Sequence, residues 1–487
     1  MRRPILLLIV ILLLASLSCK TLIPDSTPVI QTADPLQEAT VEVYTPQVEV
    51  PTSQVGDTNP APTRPAPTTD SGDSGSTATQ PAPDPTAVLD TDVKDAMDQI
   101  QQSVIEIRGL QPHADVPRAL LTPDELRQRV IDDFLVDYTQ EDAQQDVIVL
   151  SALGLIEADY DFLSFYTELL SEQVAGFYDN EVQEMYVVQG ESFAGPERLT
   201  FAHEYVHALQ DQNYDIEDGL QFNDESCEED TERCAAIQAL MEGDASNVEL
   251  QWFTRYATPQ DQQQVLDFYN NYTSPVYDSS PEFMKEDFIF PYTYGQAFVE
   301  MLLDDGGWRA VDAAYGNVPV STEQILHPEK YPDDKPVVVE LPDLLPVLGD
   351  GWVELDRNVM GEWYTYLILA KGEDFAAQIE NETALDAAEG WGGDAYAVYH
   401  NDATGQTALV IDWLWDRNRD ASEFAETFVD YANARFGLTG DEQGDWWTWE
   451  AADMVSLLYS NDDRSTWIYA PDLATAQAIA DSLGLER

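Results

Sequence analysis

Positive charge is scarce in this chain: 23 Lys and Arg stand against 91 Asp and Glu among 487 residues, a formal net charge of −68. So acidic a surface repels phosphate backbones and offers no basic stripe, which excludes nucleic acid as a partner. It reads as a solvated, aggregation-resistant surface, with steering of cationic substrates as the narrower alternative. Cysteine is nearly absent, at three residues. Cys227 and Cys234, six residues apart in an acidic stretch, lack the second Cys pair that a thiolate zinc site needs. Histidine is almost as rare, at five residues.

What is present begins with an address. Arg2 and Arg3 precede an apolar run over residues 5–14, then small residues and Cys19, the pattern of a secretory signal too short to span a membrane comfortably. Ser16, Leu17, Ser18 and Cys19 resemble a bacterial lipobox, with Ser16 standing where Leu is usual. The resemblance implies lipidation of Cys19, a membrane attachment through that lipid and an extracytoplasmic location. Plain signal cleavage and an uncleaved anchor are the alternatives. In that compartment the remaining pair, Cys227 and Cys234, is expected to form a disulfide, constraining the unfolded chain by roughly 2 to 3 kcal/mol.

Composition divides the rest. Residues 20–86 are rich in Pro, Thr, Ser and Asp without helical period and read as a disordered stalk reaching on the order of 50 to 200 Å. Apolar residues at helical spacing over 93–110, 123–134, 141–155 and 160–170 predict a helical lead-in. A hairpin is expected from 174–178 and 185–188 around Asp179, Asn180 and Glu181. Gly195 and Pro196 mark the start of a helix reaching about 212, and longer helical patterns cover 229–256 and 292–303. Beyond 336 the chain predicts an extended stretch at 337–340, helices at 361–370 and 375–388, and strands at 396–400, 407–413, 446–449, 454–459 and 466–470. Helices at 421–436 and 473–483 are expected to cover one face of that sheet. The predicted class is α+β: a mainly helical domain with a small sheet over 87–336, a helical connection over 337–388, and a smaller α+β domain over 389–487. Trp413, Trp415, Trp446, Trp447 and Trp449 read as packing, with a ligand platform or partner-binding module as the rival.

His203, Glu204, Tyr205, Val206 and His207 form an H-E-x-x-H motif. Residues four apart share a helix face, so both imidazoles reach one metal ion, and the glutamate one position round reaches the water that the ion activates. With five histidines in the chain, this spacing is not expected by chance. A third ligand must come from elsewhere, and Glu242, 35 residues after His207 in a helical pattern, is the candidate. The metzincin pattern, which needs a Gly three residues after the second histidine, fails because Gln210 stands there.

Over about 174–246 the motif and Glu242 resemble the glutamate-type zincins, the broad thermolysin-like group of metallopeptidases. The resemblance implies Zn2+ held by His203, His207 and Glu242, with Glu204 as general base, and a peptide or protein substrate laid along an edge strand. Members of that group often carry Asp four residues after the ligand Glu; here Ser246 stands there, leaving Asp244 and Asp211 as candidates for orienting a ligand. The segments 203–212 and 321–328 look like those of uncharacterised bacterial lipoproteins with the same motif.

A peptidase also needs a donor for its developing oxyanion. Tyr294 and His327 are the catalytic candidates, with Tyr292 alongside, since a neutral Tyr or His donates a hydrogen bond. His113 and His400 read as structural. The function expected is zinc-dependent endopeptidase activity outside the cytoplasm. The alternative is a catalytically silent zincin-like lipoprotein serving as a metal-binding or protein-binding surface.

Overall fold

The computed structural model describes residues 89–485 apart from 130, 132–134, 136–137 and 190–191. The expected signal peptide, lipidated Cys19 and stalk lie outside the described residues, which all belong to one compact unit. The class is α+β, with 54% helix and 16% strand. Among the described residues no helix is long and apolar enough to cross a membrane.

The helical part opens with α1 (Thr91–Arg108), then β1 (Arg118–Leu121), α2 (Gln140–Leu153) and α3 (Phe162–Gln173). β2 (Gly176–Asp179) and β3 (Glu184–Val188) form the expected antiparallel hairpin. Sequence reading missed β1, which pairs in parallel with β3 and makes a sheet of order β1-β3-β2. At four residues it is too short for its alternation to stand out. β2 therefore lies at an edge of this sheet.

α4 (Gly195–Tyr214) carries the histidines. Pro196 sits in its first turn, and the Glu197 carboxylate accepts from the Ala194 N–H at 3.0 Å, satisfying one orphan donor of the helix start. α5 (Thr231–Arg255) starts where the Asp230 side chain accepts from the Arg233 N–H. The pattern expected to run unbroken from 229 is thus interrupted at Asp230, and a disulfide joins Cys227 before the break to Cys234 after it. α6 (Pro259–Asn271) follows. α7 (Glu282–Gly306) begins ten residues before its predicted start, with Pro291 inside it. Proline lacks the N–H that would extend the ladder, so it imitates a helix start in sequence.

α4 and α5 are buried nearly all round, and their buried faces carry polar and charged residues among the apolar ones. Leu199, Phe201, Val206 and Leu209 join Val248 and Trp252 in one buried cluster, while Ile237, Leu240 and Met241 on α5 join another. Each such side chain contributes about 1.5–3 kcal/mol when fully buried. α5 and α7 cross with their backbones touching: a Cβ on Gly243 would lie 2.0 Å from the Gly295 carbonyl oxygen, and one on Gly295 would lie 2.1 Å from that of Ala239. Glycine at both positions is what allows the crossing.

α8 (Trp308–Tyr315), α9 (Thr322–Leu326), β4 (Val353–Asn358), α10 (Gly361–Ala370) and α11 (Asn381–Ala388) lead into the C-terminal sheet. α11 is shorter than expected, and residues 337–340 are not a ladder strand, because β4 takes the place beside β5; Val337 N–H still donates to the Gly392 carbonyl at 2.7 Å. The remaining strands are β5 (Trp391–Asn401), β6 (Gln406–Trp415), β7 (Asp441–Gln443), β8 (Trp446–Glu450), β9 (Val455–Asn461) and β10 (Arg464–Ala470), in the antiparallel order β4-β5-β6-β10-β9-β8-β7. α12 (Asn418–Phe436) and α13 (Leu473–Ser482) complete the chain.

These two helices lie on opposite faces of the sheet, not on one face as expected. Leu409, Ile411 and Trp413 of β6 pack with Phe424 and Phe428 of α12, whereas Ala408 and Val410 pack with Ala476 and Ile479 of α13. The continuous apolar run of β6 carries that information, since a strand covered on one face only would alternate. Trp413, Trp415, Trp446 and Trp449 are buried as packing. The cluster under α12 also contains Val147, Leu150, Leu367 and Phe290, so one core runs from the sheet into the helices.

Candidate metal centre

His203 and His207 lie one turn apart on α4, and α5 brings Glu242 against both. His203 Nε2 is 3.1 Å and His207 Nε2 3.4 Å from Glu242 Oε2. One ligand atom from each residue lies within 4.8 Å of the others, the only such group among the described residues. Two imidazole nitrogens and one carboxylate oxygen on two helices match the donor set of a catalytic zinc site with a fourth position left open. His203 is fully buried, and what exposure the cluster has is at the His207 and Glu242 side chains.

Each imidazole is held from behind. His203 Nδ1 is 2.9 Å from Glu249 Oε2, and His207 Nδ1 is 2.8 Å from Gln210 Oε1. A carboxylate only accepts, so Glu249 holds a proton on His203 Nδ1, and Nε2, which faces Glu242, is the nitrogen left to an ion. Glu249 is the orienting residue that sequence reading did not name. It stands seven residues after Glu242, two turns on and on the same face, whereas Asp244 reaches a histidine only through Gln210. Asp211 accepts instead from the Tyr178 hydroxyl at 2.8 Å.

Electrostatically the cluster seeks positive charge. Burial pushes the His203 ring down, but hydrogen bonds to Glu242 and Glu249 outweigh it and hold the ring well above its ordinary value. His207 is likewise raised, against burial, by the charge of Glu242. Burial pushes Glu242 up, yet the two histidines bring it down to about 2. The two imidazoles meet the demand with protons, and a divalent cation would meet it in their place.

Glu204 is wholly buried between these groups, and neither carboxylate oxygen has a well-formed hydrogen bond, the Tyr178 N–H of β2 being the one group turned towards it. Such a group costs about 1–3 kcal/mol, a cost that structural carboxylates avoid. Burial, opposed by the charges of His203 and His207, pushes it up to about 7. A carboxyl poised there takes up or releases a proton near neutral pH.

Tyr292 on α7 completes the group. Its ring lies 6.3 Å from the His203 ring, centroid to centroid, and its buried hydroxyl has no well-formed hydrogen bond. Burial, with the charges of Glu242 and Glu204, holds its pKa well above the ordinary value, so it is a neutral donor. Tyr294, two residues on and so on the far side of the same helix, packs against Phe290 and Trp363 at 5.4 Å from each ring. His327 is engaged elsewhere, its Nε2 2.7 Å from Glu362 Oε1. The structure thus brings Tyr292 to the cluster and places Tyr294 and His327 in other surroundings.

β2 runs along α4: a Cβ on Gly176 would meet Thr200 Cγ2 at 2.7 Å, and Tyr178 reaches Asp211. An edge strand of the small sheet therefore flanks the motif helix.

A family described as a domain of unknown function (DUF8575) matches residues 350–480, which hold the C-terminal sheet and leave the histidine cluster outside. No curated protein and no solved structure matches the chain.

Proposed function

We propose that this chain is a zinc-dependent peptidase in which His203, His207 and Glu242 hold the ion. The observation that carries the reading is the convergence of those three ligand atoms beside Glu204, a buried carboxyl with no well-formed hydrogen bond. When bound, zinc would polarise the peptide carbonyl and make an attacking water more acidic.

The chain's own residues supply the rest. Glu204 takes a proton from the water as its oxygen bonds to the carbonyl carbon. It then delivers that proton to the amide nitrogen as the C–N bond breaks, leaving a carboxylic acid and an amine. Tyr292 donates a hydrogen bond to the carbonyl oxygen as negative charge gathers there. β2, at an edge of its sheet, offers backbone donors and acceptors to an extended substrate, which favours an endopeptidase acting on unfolded segments. The lipobox-like Cys19 and the stalk-like composition of residues 20–86 support attachment to a membrane outside the cytoplasm.

Cleavage of unfolded casein by the purified chain tests this. We expect activity that disappears with a chelator and returns with zinc. A protein that takes up zinc and leaves casein intact would instead be the silent metal-binding scaffold.

A further inference from the structure

The grip on His207 extends far beyond the two ligand helices. Gln210 Nε2 donates to the Met241 carbonyl at 3.0 Å and to Asp244 Oδ2 at 3.2 Å. With its amide nitrogen committed, Gln210 has only its oxygen to offer His207, which fixes the ring proton on Nδ1 and leaves Nε2 to the ion. Asp244 in turn is buried and receives Arg108 Nε at 2.7 and 3.0 Å and the Tyr315 hydroxyl at 2.9 Å. Arg108, also buried, is anchored by Asp312 at 2.7 Å and lies over the Trp308 ring at 4.8 Å. It is the last residue of α1, the first described helix.

We infer that Arg108, Asp244 and Gln210 form a positioning relay by which the N-terminal helix fixes the ring of His207 for metal binding. The inference rests on the zinc reading above. Its physical core is directional. Arg108 keeps Asp244 an acceptor, Asp244 keeps the Gln210 amide from turning over, and Gln210 keeps His207 in the one ring form that can ligate through Nε2. An amide turned over would present N–H groups to Nδ1 and favour the proton on Nε2, where it blocks the ion. His203 is governed separately by Glu249, so the relay acts on one histidine of the pair.

The test uses the full chain with ring-labelled histidine, comparing wild type, Gln210→Leu and Arg108→Met. Two quantities are read: zinc affinity by chelator competition, and solvent exchange of the Nδ1–H protons of His203 and His207. For Gln210→Leu we expect zinc binding weakened about 10- to 100-fold. The His207 Nδ1–H should exchange freely while that of His203 stays protected. Arg108→Met should give the same pattern with a smaller loss, about 10-fold. Gln210→Leu changes no charge, so it decides the matter even where Arg108→Met, which strands Asp244, does not fold. Zinc affinity within about two-fold of wild type and a protected His207 proton in folded Gln210→Leu would overturn the relay, as would loss of both ring protons together. Should the wild type take up no zinc, the peptidase reading falls, while the ring-proton pattern still decides the relay.

Discussion

Asp394 and Asp412 of the C-terminal sheet and Glu204 of α4 are all buried, yet their surroundings differ in kind. Asp394 accepts from the Met360 and Gly361 N–H groups and from Trp391 Nε1, at 2.7 to 2.9 Å. Asp412 receives Arg464 through two nitrogens at 2.7 and 2.8 Å and the Thr466 hydroxyl at 2.7 Å. Glu204 has none of this. A satisfied carboxylate ties strands and helices together and gives a region its definite packing. An unsatisfied one beside two imidazoles is unfavourable for stability and useful for proton transfer. The buried Tyr292 hydroxyl, whose charge neighbours are Glu242 and Glu204, likewise has no well-formed hydrogen bond. The buried carboxylates Asp394 and Asp412 of the sheet are matched by donors, whereas the carboxyl beside the histidines is not.

The contrast is broken most severely by removing a ligand. His203→Ala should weaken zinc binding by at least about 1,000-fold, or about 4 kcal/mol, and abolish hydrolysis. His400→Ala, which removes a sheet imidazole bonded to Thr407 at 2.9 Å, should leave zinc uptake unchanged. Metal analysis of both proteins checks this pair. Next in size, Tyr292→Phe should lower kcat about 100-fold with KM and thermal stability nearly kept, because the lost hydroxyl had no well-formed partner to strand. Steady-state kinetics beside a melting curve would show it; equal loss for Tyr294→Phe would move the donor role away from Tyr292.

Stability changes should be smaller and fall in the reverse pattern. Gly243→Ala forces the α5 and α7 backbones apart and should cost about 1–3 kcal/mol in denaturant unfolding, with Tyr292 displaced and activity reduced. Asp394→Asn sets an amide N–H group against donors that Asp394 now accepts, at about 1–2 kcal/mol, and should leave the activity of the folded fraction intact. Loss of zinc on Asp394→Asn would show that the sheet supports the metal cluster directly.

Much of this was legible in the sequence where period and punctuation agree. Gly195 and Pro196 announce α4, and the range of α10 can be read to the residue from its apolar run. His203 and His207 stand out through helical spacing and the scarcity of histidine, and Glu242 through its helical pattern and the resemblance to the glutamate-type zincins. What sequence could not supply was phase. Tyr292 and Tyr294 are equivalent until one knows which face of α7 meets His203, and that depends on a crossing set by Gly243 and Gly295. Glu249 lies outside the four-residue spacing at which the zincin pattern places an Asp, although its spacing of seven from Glu242 keeps it on the same face. The relay through Arg108 joins residues 136 positions apart and leaves no local pattern at all.

The central claim is that Glu204 is left without a well-formed hydrogen bond because it moves a proton. Its most direct test measures casein hydrolysis and bound zinc in wild type and Glu204→Gln side by side. The account predicts equal zinc in both proteins, folding stability equal or higher in the variant, and hydrolysis lower by about 100- to 10,000-fold. A zinc-loaded Glu204→Gln protein that cleaves casein at the wild-type rate would contradict it.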